Sequence, residues 1–107
     1  MNQTVLVGRL SSTPQIRELE NGKKACIVKL AVDRSYKNEE GVYETDLISC
    51  LIQGNMAVNT CEYCRQGDTL GIKCRLEVNN TLIVVADKVT FLATNDRVRQ
   101  DLESEED

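Results

Sequence analysis

Apolar and polar residues alternate with a period of two along much of this chain of 107 residues. The alternation is clearest at 69–78, where every second residue from Leu70 to Val78 is apolar and the residues between them are mostly polar or charged. Successive side chains of a β-strand point to opposite faces, so this pattern predicts a strand with one buried face. Alternation or enrichment in β-branched residues predicts four further strands, at 3–10, 26–33, 47–53 and 81–92.

Short polar segments separate the predicted strands. Asn79-Asn80 predicts a tight two-residue hairpin turn, because Asn tolerates the positive φ that such turns need. Pro14 cannot donate to a β-ladder, so it predicts a break or bulge before the pattern of the first strand resumes at 16–19. The segment 35–45 is predicted to be the longest loop.

One segment, 55–66, has helical periodicity. Met56, Tyr63 and Cys64 fall near positions i, i+7 and i+8, and Gly67 follows at a C-cap position. These spacings predict one short helix of about ten residues between the third and fourth strands. Five strands with one helix at that point are the element order of an OB-fold, an all-β, five-stranded Greek-key barrel, and an SH3-like barrel or another small β fold also fits the pattern.

The charge is unevenly distributed along the chain. The sequence contains 13 Lys+Arg and 17 Asp+Glu, a formal net charge of −4, and the whole acidic excess lies in 96–107. We predict that residues 1–94 form one domain, which is neutral because its basic and acidic residues balance. Residues 95–107 are predicted to be an acidic, disordered tail. A nucleic-acid partner of such a domain would have to bind local clusters of basic side chains.

The chain contains no histidine. This excludes an imidazole general base, a Ser-His or Cys-His nucleophile pair and a histidine metal ligand, so we expect no enzyme, no metal and no cofactor. The apolar runs are much shorter than the roughly 18–20 residues of a membrane span. No basic segment leads into an apolar stretch at the N-terminus, and we therefore expect a soluble, cytoplasmic protein.

Five cysteines are present, and Cys61 and Cys64 form a C-x-x-C motif. Such motifs occur in zinc sites and in redox centres. A structural zinc site needs four ligands, and Cys26, Cys50 and Cys74 are not paired at the spacing that these sites use. An odd number of cysteines in a chain of intracellular type favours reduced thiols, so the cysteines are interpreted as small apolar residues of the core.

Several short motifs follow one another at consistent spacing. They are VLVGRL at 5–10, LAVDR at 30–34, the alanine, glutamate-tyrosine and glycine of 57–67, and VADKV at 85–89 followed by Phe91-Leu92. Together they resemble bacterial single-stranded DNA-binding proteins over nearly all of residues 3–92, with Cys74 where that family usually has glycine. The resemblance implies an OB-fold core that assembles as a homo-oligomer, a tetramer or a dimer. It also implies wrapping of single-stranded DNA in replication, repair and recombination at the bacterial nucleoid.

The resemblance also implies where DNA would bind. The family commonly has stacking aromatic residues after the second strand, at both ends of the third, and in the hairpin between the fourth and fifth. Tyr36 falls at the first of these positions, whereas Leu47 and Gln53 occupy the next two. Each stack contributes roughly 1–3 kcal/mol, so the missing rings predict weaker binding than in a typical relative. The predicted nucleic-acid-binding residues are Tyr36, Lys37, Arg34, Lys73, Arg75 and Tyr43.

Each of these residues also has an alternative interpretation. The two loop tyrosines could pack on their own barrel or on another subunit, and the basic side chains could simply be solvated beside Asp33, Glu77 and Asp87. Tyr63 and Phe91 are predicted to lie in the core. The alternative function is an OB-fold interaction module or accessory subunit with little or no nucleic-acid affinity.

The C-terminal tail departs from the family pattern. Family members end in an acidic tip with a Pro- and Phe-containing apolar end that recruits replication or repair proteins, whereas this chain ends in acidic residues alone. An apolar anchor gives such an interface its specificity, so recruitment by this route is expected to be weakened. The acidic residues are interpreted either as a solubilising segment or as competitors with DNA for the basic groove.

Overall fold

The computed structural model describes residues 1–94, which form six strands and one helix. These elements are β1 (Thr4–Leu10), β2 (Arg17–Glu18), β3 (Lys24–Lys37), β4 (Tyr43–Gln53), α1 (Asn55–Tyr63), β5 (Thr69–Asn79) and β6 (Thr81–Ala93). The tail at 95–107 lies outside the described residues, so the disorder expected of it stays a prediction.

The strands form one sheet that closes on itself. Their order is β1-β5-β6-β4-β3-β2, and β1 pairs both with β5, along its length, and with β3, at Arg9 and Leu10. β4 and β6 run parallel where Leu51 meets Val85. The five long strands therefore form a closed barrel with one helix between β4 and β5, which confirms the predicted OB-fold.

In each long strand, the side chains that point to one face lie inside the barrel. The largest fully buried side chains include Leu10, Leu30, Ile52, Leu70 and Ile72. Burial of these side chains is the main contribution to the stability of such a small domain, since apolar burial stabilises by about 25 cal/mol per Å². Four of the five cysteines are also buried, and all five are free thiols. The buried cysteines are Cys26, Cys50, Cys64 and Cys74, which confirms their assignment to the core.

The helix has nine residues, close to the predicted length of about ten, and ends at Tyr63. The chain then turns back to the barrel, because the buried Asp68 carboxylate accepts a hydrogen bond from the Arg65 amide at 2.9 Å. The Gly67 amide donates to the Leu10 carbonyl at 2.8 Å, so Gly67 serves the return to β1 and not the helix C-cap. Among residues 1–94, no helix has the length and apolar character needed to cross a membrane.

The predicted loop at 35–45 is mostly strand. β3 and β4 remain paired as far as Lys37 and Tyr43, so the connection shrinks to 38–42. Asn38 closes it, since its side-chain oxygen accepts hydrogen bonds from two backbone amides of the turn. The longest connection in the described part of the chain is instead 11–16, which contains Pro14 and separates β1 from β2 as predicted.

The prediction that Tyr63 and Phe91 lie in the core was wrong. Tyr63 is 64% exposed and Phe91 is 45% exposed. On α1, the buried positions are Ala57 and Thr60, so Tyr63 falls on a side of the helix that the barrel does not cover. Phe91 lies near the end of β6 and lines an open groove together with Tyr63.

The hairpin between β5 and β6 turns at Asn79-Asn80, as predicted, with Asn80 at φ 65°. The two strands stay paired up to this turn, beyond the last residues that β1 covers. Val78 and Leu82, which pair near the tip, are 79% and 64% exposed. The turn is therefore tight, but the strands that lead to it form an extended arm.

Candidate nucleic-acid interface

The phase of the side chains defines the outer face of β3 and β4. Val28, Leu30, Cys50 and Ile52 are buried in the barrel, so the residues between them point outward. The register brings the outward residues into cross-strand pairs, which we call the β3–β4 face. The pairs are Ile27 with Leu51, Lys29 with Ser49, Ala31 with Leu47, Asp33 with Thr45, and Lys37 with Tyr43.

The middle of the β3–β4 face is aliphatic. Ile27 is 51% exposed and Leu47 is 66% exposed. Leu51 meets Val85 of β6, which in turn pairs with Arg75 of β5. The exposed apolar surface therefore consists of Ile27, Leu47 and the half-buried Leu51, and it ends at Val85, which is buried. Exposed apolar surface suits contact with the flat faces of bases.

Two exposed rings lie next to the 38–42 turn, Tyr43 on the β3–β4 face and Tyr36 at the position before Lys37 on β3. Tyr36 is 62% exposed and Tyr43 is 54% exposed. The Lys37 ammonium nitrogen lies 5.6 Å from the centroid of the Tyr43 ring, which is the distance of a cation–π contact. A ring and a cation on the same surface provide both components of single-strand binding, stacking and charge.

Arg34 is engaged by two carboxylates. Its guanidinium donates to Asp46 through Nε and a terminal nitrogen, both at 3.0 Å, and to Glu44 at 2.6 Å. The bidentate hydrogen bond to Asp46 raises the pKa of Arg34, and the same hydrogen bond lowers the pKa of Asp46. The positive charge of Arg34 is thus largely compensated within the chain.

The two basic residues of β5, Lys73 and Arg75, differ in whether a carboxylate compensates their charge. The Arg75 guanidinium donates to the Asp87 carboxylate, and its Nε lies 3.7 Å from Oε1 of Glu77. The charge of Arg75 is therefore also compensated. Lys73 pairs across the strands with Lys88 of β6, and both are exposed on the outer side of the barrel. Within residues 1–94, neither of these ammonium groups pairs with a carboxylate. Two like charges on opposite positions repel each other unless an anion binds between them.

The structure divides the six predicted residues into two groups. Four lie together beside the 38–42 turn, and the other two lie on β5. Leu47 and Leu51 could be recognised from the sequence as a candidate interface, covered patch or part of a groove. Ile27 was not included, although it stands in the polar phase of its strand and could have indicated this face. The cross-strand pairing of Lys73 with Lys88 could not be predicted from the sequence, because a bulge beside Lys73 sets the register between β5 and β6.

A family model supports an assignment that the geometry alone leaves open. The model of the Single-strand binding protein family matches residues 1–92. The chain belongs to this family.

Similar proteins agree with the family model. The chain is 38% identical over 80 residues to the single-stranded DNA-binding protein of Bacillus cereus, an alignment that covers 75% of this chain and 47% of that relative. It is 35% identical over 102 residues to single-stranded DNA-binding protein 2 of Staphylococcus aureus, covering 86% and 72%. The wild-type single-stranded DNA binding protein from Thermus aquaticus superposes with a TM-score of 0.73 at 20% identity, covering 90% of this chain and 52% of that chain.

The chain spans about half of the length of the Bacillus cereus relative. Leu47 and Gln53, at two positions where the resemblance led us to expect a stacking ring, are both exposed. The two tyrosines beside the turn are therefore the aromatic groups that this end of the face offers.

Proposed function

We propose that this chain binds single-stranded DNA with little sequence preference, along the β3–β4 face. The observation that carries the proposal is the cluster of Tyr36, Lys37 and Tyr43, which combines two exposed rings with an ammonium group on a barrel of the single-strand binding family. Every base has a π face, so stacking on these rings tolerates any sequence.

Bases would contact two kinds of surface along this path. Each tyrosine contributes roughly 1–3 kcal/mol as a stacking platform. Further along the face, the exposed Ile27 and Leu47 side chains would cover base faces by apolar contact, which stabilises by about 25 cal/mol per Å² buried. Aliphatic contact lacks the additional attraction between stacked rings, so the affinity is lower than that of a relative with rings at these positions.

The DNA backbone would follow lysines such as Lys37, Lys73 and Lys88, whose ammonium groups form no ion pair with a carboxylate of residues 1–94. Arg34 and Arg75 already donate to carboxylates, so a phosphate must compete with those acids for their guanidinium groups. We therefore assign the lysines the larger part of the electrostatic attraction and the two arginines a smaller part. Each phosphate contact on a single strand adds about −0.7 to the slope of log K against log salt concentration.

We further propose that the chain assembles as a homo-oligomer and acts in DNA replication, repair or recombination. Along Thr4–Gly8, β1 pairs with β5 on one side, while its pairing with β3 is limited to Arg9 and Leu10. The outward side chains Val5 and Val7 of the same strand are 63% and 52% exposed. An open strand edge with apolar neighbours favours association with a second copy of the chain.

A second candidate function is an accessory or interaction subunit with little nucleic-acid affinity. Leu47 and Gln53 favour it, because they replace stacking groups at two exposed positions. The neutral charge of the domain also favours it, because long-range attraction of DNA is then weak.

One titration distinguishes the two candidates. We would measure the anisotropy of a labelled oligothymidine against protein concentration at several salt concentrations, for the natural chain and for Tyr36→Ala. The proposal requires saturable, salt-sensitive binding that Tyr36→Ala weakens by about 5- to 150-fold. Tyr63→Ala is the matched control, since Tyr63 is equally exposed but lies on α1, and it should leave affinity unchanged. Absence of binding at low salt would contradict the proposal and favour the accessory subunit.

A further inference from the structure

Cysteines from two elements meet where α1 packs on the barrel. Cys26 lies on β3, is 1% exposed, and has its sulfur 4.0 Å from the Ala57 carbonyl of the helix. Cys61 follows Ala57 by four residues, which places it one helical turn further on the same side of α1. Cys61 packs against the buried cluster that contains both Cys26 and Ala57.

The side chains of Cys26 and Cys61 lie in the same part of the core, since Cys61 packs against the buried cluster that contains Cys26. Burial, and to a smaller extent the neighbouring Cys61 thiol, raises the pKa of Cys26 to about 12. Because a thiol attacks as its thiolate, the raised pKa keeps Cys26 unreactive toward reagents in solvent, and its proximity to Cys61 is what favours attack on a mixed disulfide at Cys61.

The two cysteines differ in their access to solvent. Cys61 is partly exposed, whereas Cys26 is enclosed by β3 and the helix. A dissolved oxidant can therefore reach the sulfur of Cys61 and not that of Cys26. Cys61 is therefore the thiol that reacts first with the oxidant, and Cys26 is the thiol that then displaces it to form the disulfide.

We propose that Cys26 and Cys61 form a reversible redox site, in which a low-molecular-weight disulfide converts the two thiols into a disulfide bond. The Cys61 thiolate attacks one sulfur of the reagent, forms a mixed disulfide and releases one thiolate. Cys26 then attacks the Cys61 sulfur, the mixed disulfide breaks, and the second thiolate leaves and takes up the proton from Cys26. The two cysteines are oxidised, and the reagent is reduced to two thiols.

The bond would link the helix to the barrel across the 35 sequence positions that separate Cys26 from Cys61. A cross-link of this span restricts the unfolded chain and stabilises the fold. Cys26 points into the barrel, opposite in phase to Ile27 of the β3–β4 face, so oxidation leaves that face in place. The expected effect is resistance to unfolding.

The test uses the full chain treated with oxidised glutathione, compared with the reduced protein. Mass spectrometry of the intact chain should show loss of two hydrogens, and peptide mapping should join the peptide containing Cys26 to that containing Cys61. The midpoint of thermal unfolding should rise by roughly 5 °C or more and return after dithiothreitol. Cys61→Ser should abolish the link. Cys64→Ala, on the same helix and three residues away, should retain it.

Three outcomes would overturn the proposal. They are a link that joins Cys61 to Cys64, a link from Cys26 that survives in Cys61→Ser, and mixed glutathione adducts that never resolve into a disulfide within the chain. Circular dichroism of each reduced variant shows whether it is folded. Peptide mapping of the oxidised natural chain tests the proposal by itself, so a variant that fails to fold does not prevent the test.

Discussion

Lys37 holds its ammonium nitrogen 5.6 Å from the centre of the Tyr43 ring, and the two residues form the last cross-strand pair before the 38–42 turn. The contact brings a positive charge and an exposed aromatic face together at one end of the barrel. It exists because β3 and β4 remain paired well beyond the positions at which the sequence predicts a loop. Several predictions rest on this surface and on the barrel that supports it.

Tyr43 should act through its ring and not through its hydroxyl. Tyr43→Phe keeps the stacking platform and the cation–π contact, so the affinity for oligothymidine should change little. Tyr43→Leu removes both and should weaken binding by about 5- to 150-fold in the anisotropy titration. Equal losses in the two variants would show that the hydroxyl, and not the ring, contributes to binding.

Lys73 and Lys88 should contribute to binding as point charges. Replacing either one with alanine should reduce the magnitude of the slope of log K against log salt by about 0.7. Arg75→Ala is the matched control, and it should change the slope less because Asp87 and Glu77 already compensate its charge. A larger change for Arg75 than for the lysines would contradict this assignment.

Restoring a ring on the β3–β4 face should raise affinity. Leu47 is 66% exposed in the middle of the face, so Leu47→Trp adds a stacking platform without disturbing the core. Binding of oligothymidine should tighten by about 5- to 150-fold. Val58→Trp, at an exposed position of α1, is the control and should have no effect. If both tryptophans tighten binding equally, the gain is nonspecific.

The Arg34–Asp46 pair should make stability depend on pH. The hydrogen bond from Arg34 lowers the pKa of Asp46 below its ordinary value of 3.8. A carboxyl group whose pKa is lower in the folded state stabilises the fold above its unfolded pKa, and this stabilisation is lost as pH falls through the folded pKa. Asp46→Asn should therefore lower the urea midpoint at pH 7, and the difference from the natural chain should narrow steadily below pH 3.8.

The control for this pH dependence is Glu39→Gln. Glu39 is exposed and forms no ion pair within residues 1–94, so its substitution should leave the urea midpoint unchanged at neutral pH. An Asp46→Asn deficit of the same size at pH 7 and at about pH 2 would rule out the ionised pair as its cause.

Gly8 should be required for closure of the barrel. A Cβ atom at Gly8 would lie 2.6 Å from the carbonyl oxygen of Ala31, where β1 approaches β3. Because that neighbour is backbone, Gly8→Ala should lower the free energy of unfolding by about 1–3 kcal/mol in urea denaturation. At Gly71 the nearest atom is the flexible end of Leu92, at 3.3 Å, so Gly71→Ala should cost less. Equal costs would mean that the approach of β1 to β3 is not the constraint.

Local features account for what could be predicted from the sequence about the fold. The alternation of apolar and polar residues at 69–78 predicts a strand with one buried face, and β5 has such a face. Asn79-Asn80 turns the chain because Asn accepts a left-handed backbone, and Asn80 does so at φ 65°. A helix of about ten residues was predicted within 55–66, and α1 has nine. Gly67, which was predicted at its C-cap, instead donates to the Leu10 carbonyl.

The candidate site was only partly predictable. The positions of Tyr36, Lys37 and Tyr43 beside a turn follow from local sequence and from the family resemblance. The engagement of Arg34 by Asp46 does not, because it joins residues on two strands whose register is set by pairing. The exposure of Tyr63 also depends on how α1 rotates against the barrel, which helical spacing alone does not determine.

By itself, the sequence determined the positions of most strands, the helix and the family to which the chain belongs, because periodicity, turn residues and short motifs act over a few residues. Only the tertiary structure decided which charges are free and which surface is apolar. The charges of Arg34 and Arg75 are compensated by carboxylates, whereas Lys73 and Lys88 face each other. On the outer face, the exposed Ile27 pairs with the half-buried Leu51. These relationships depend on register and barrel closure, which bring residues far apart in the chain into contact.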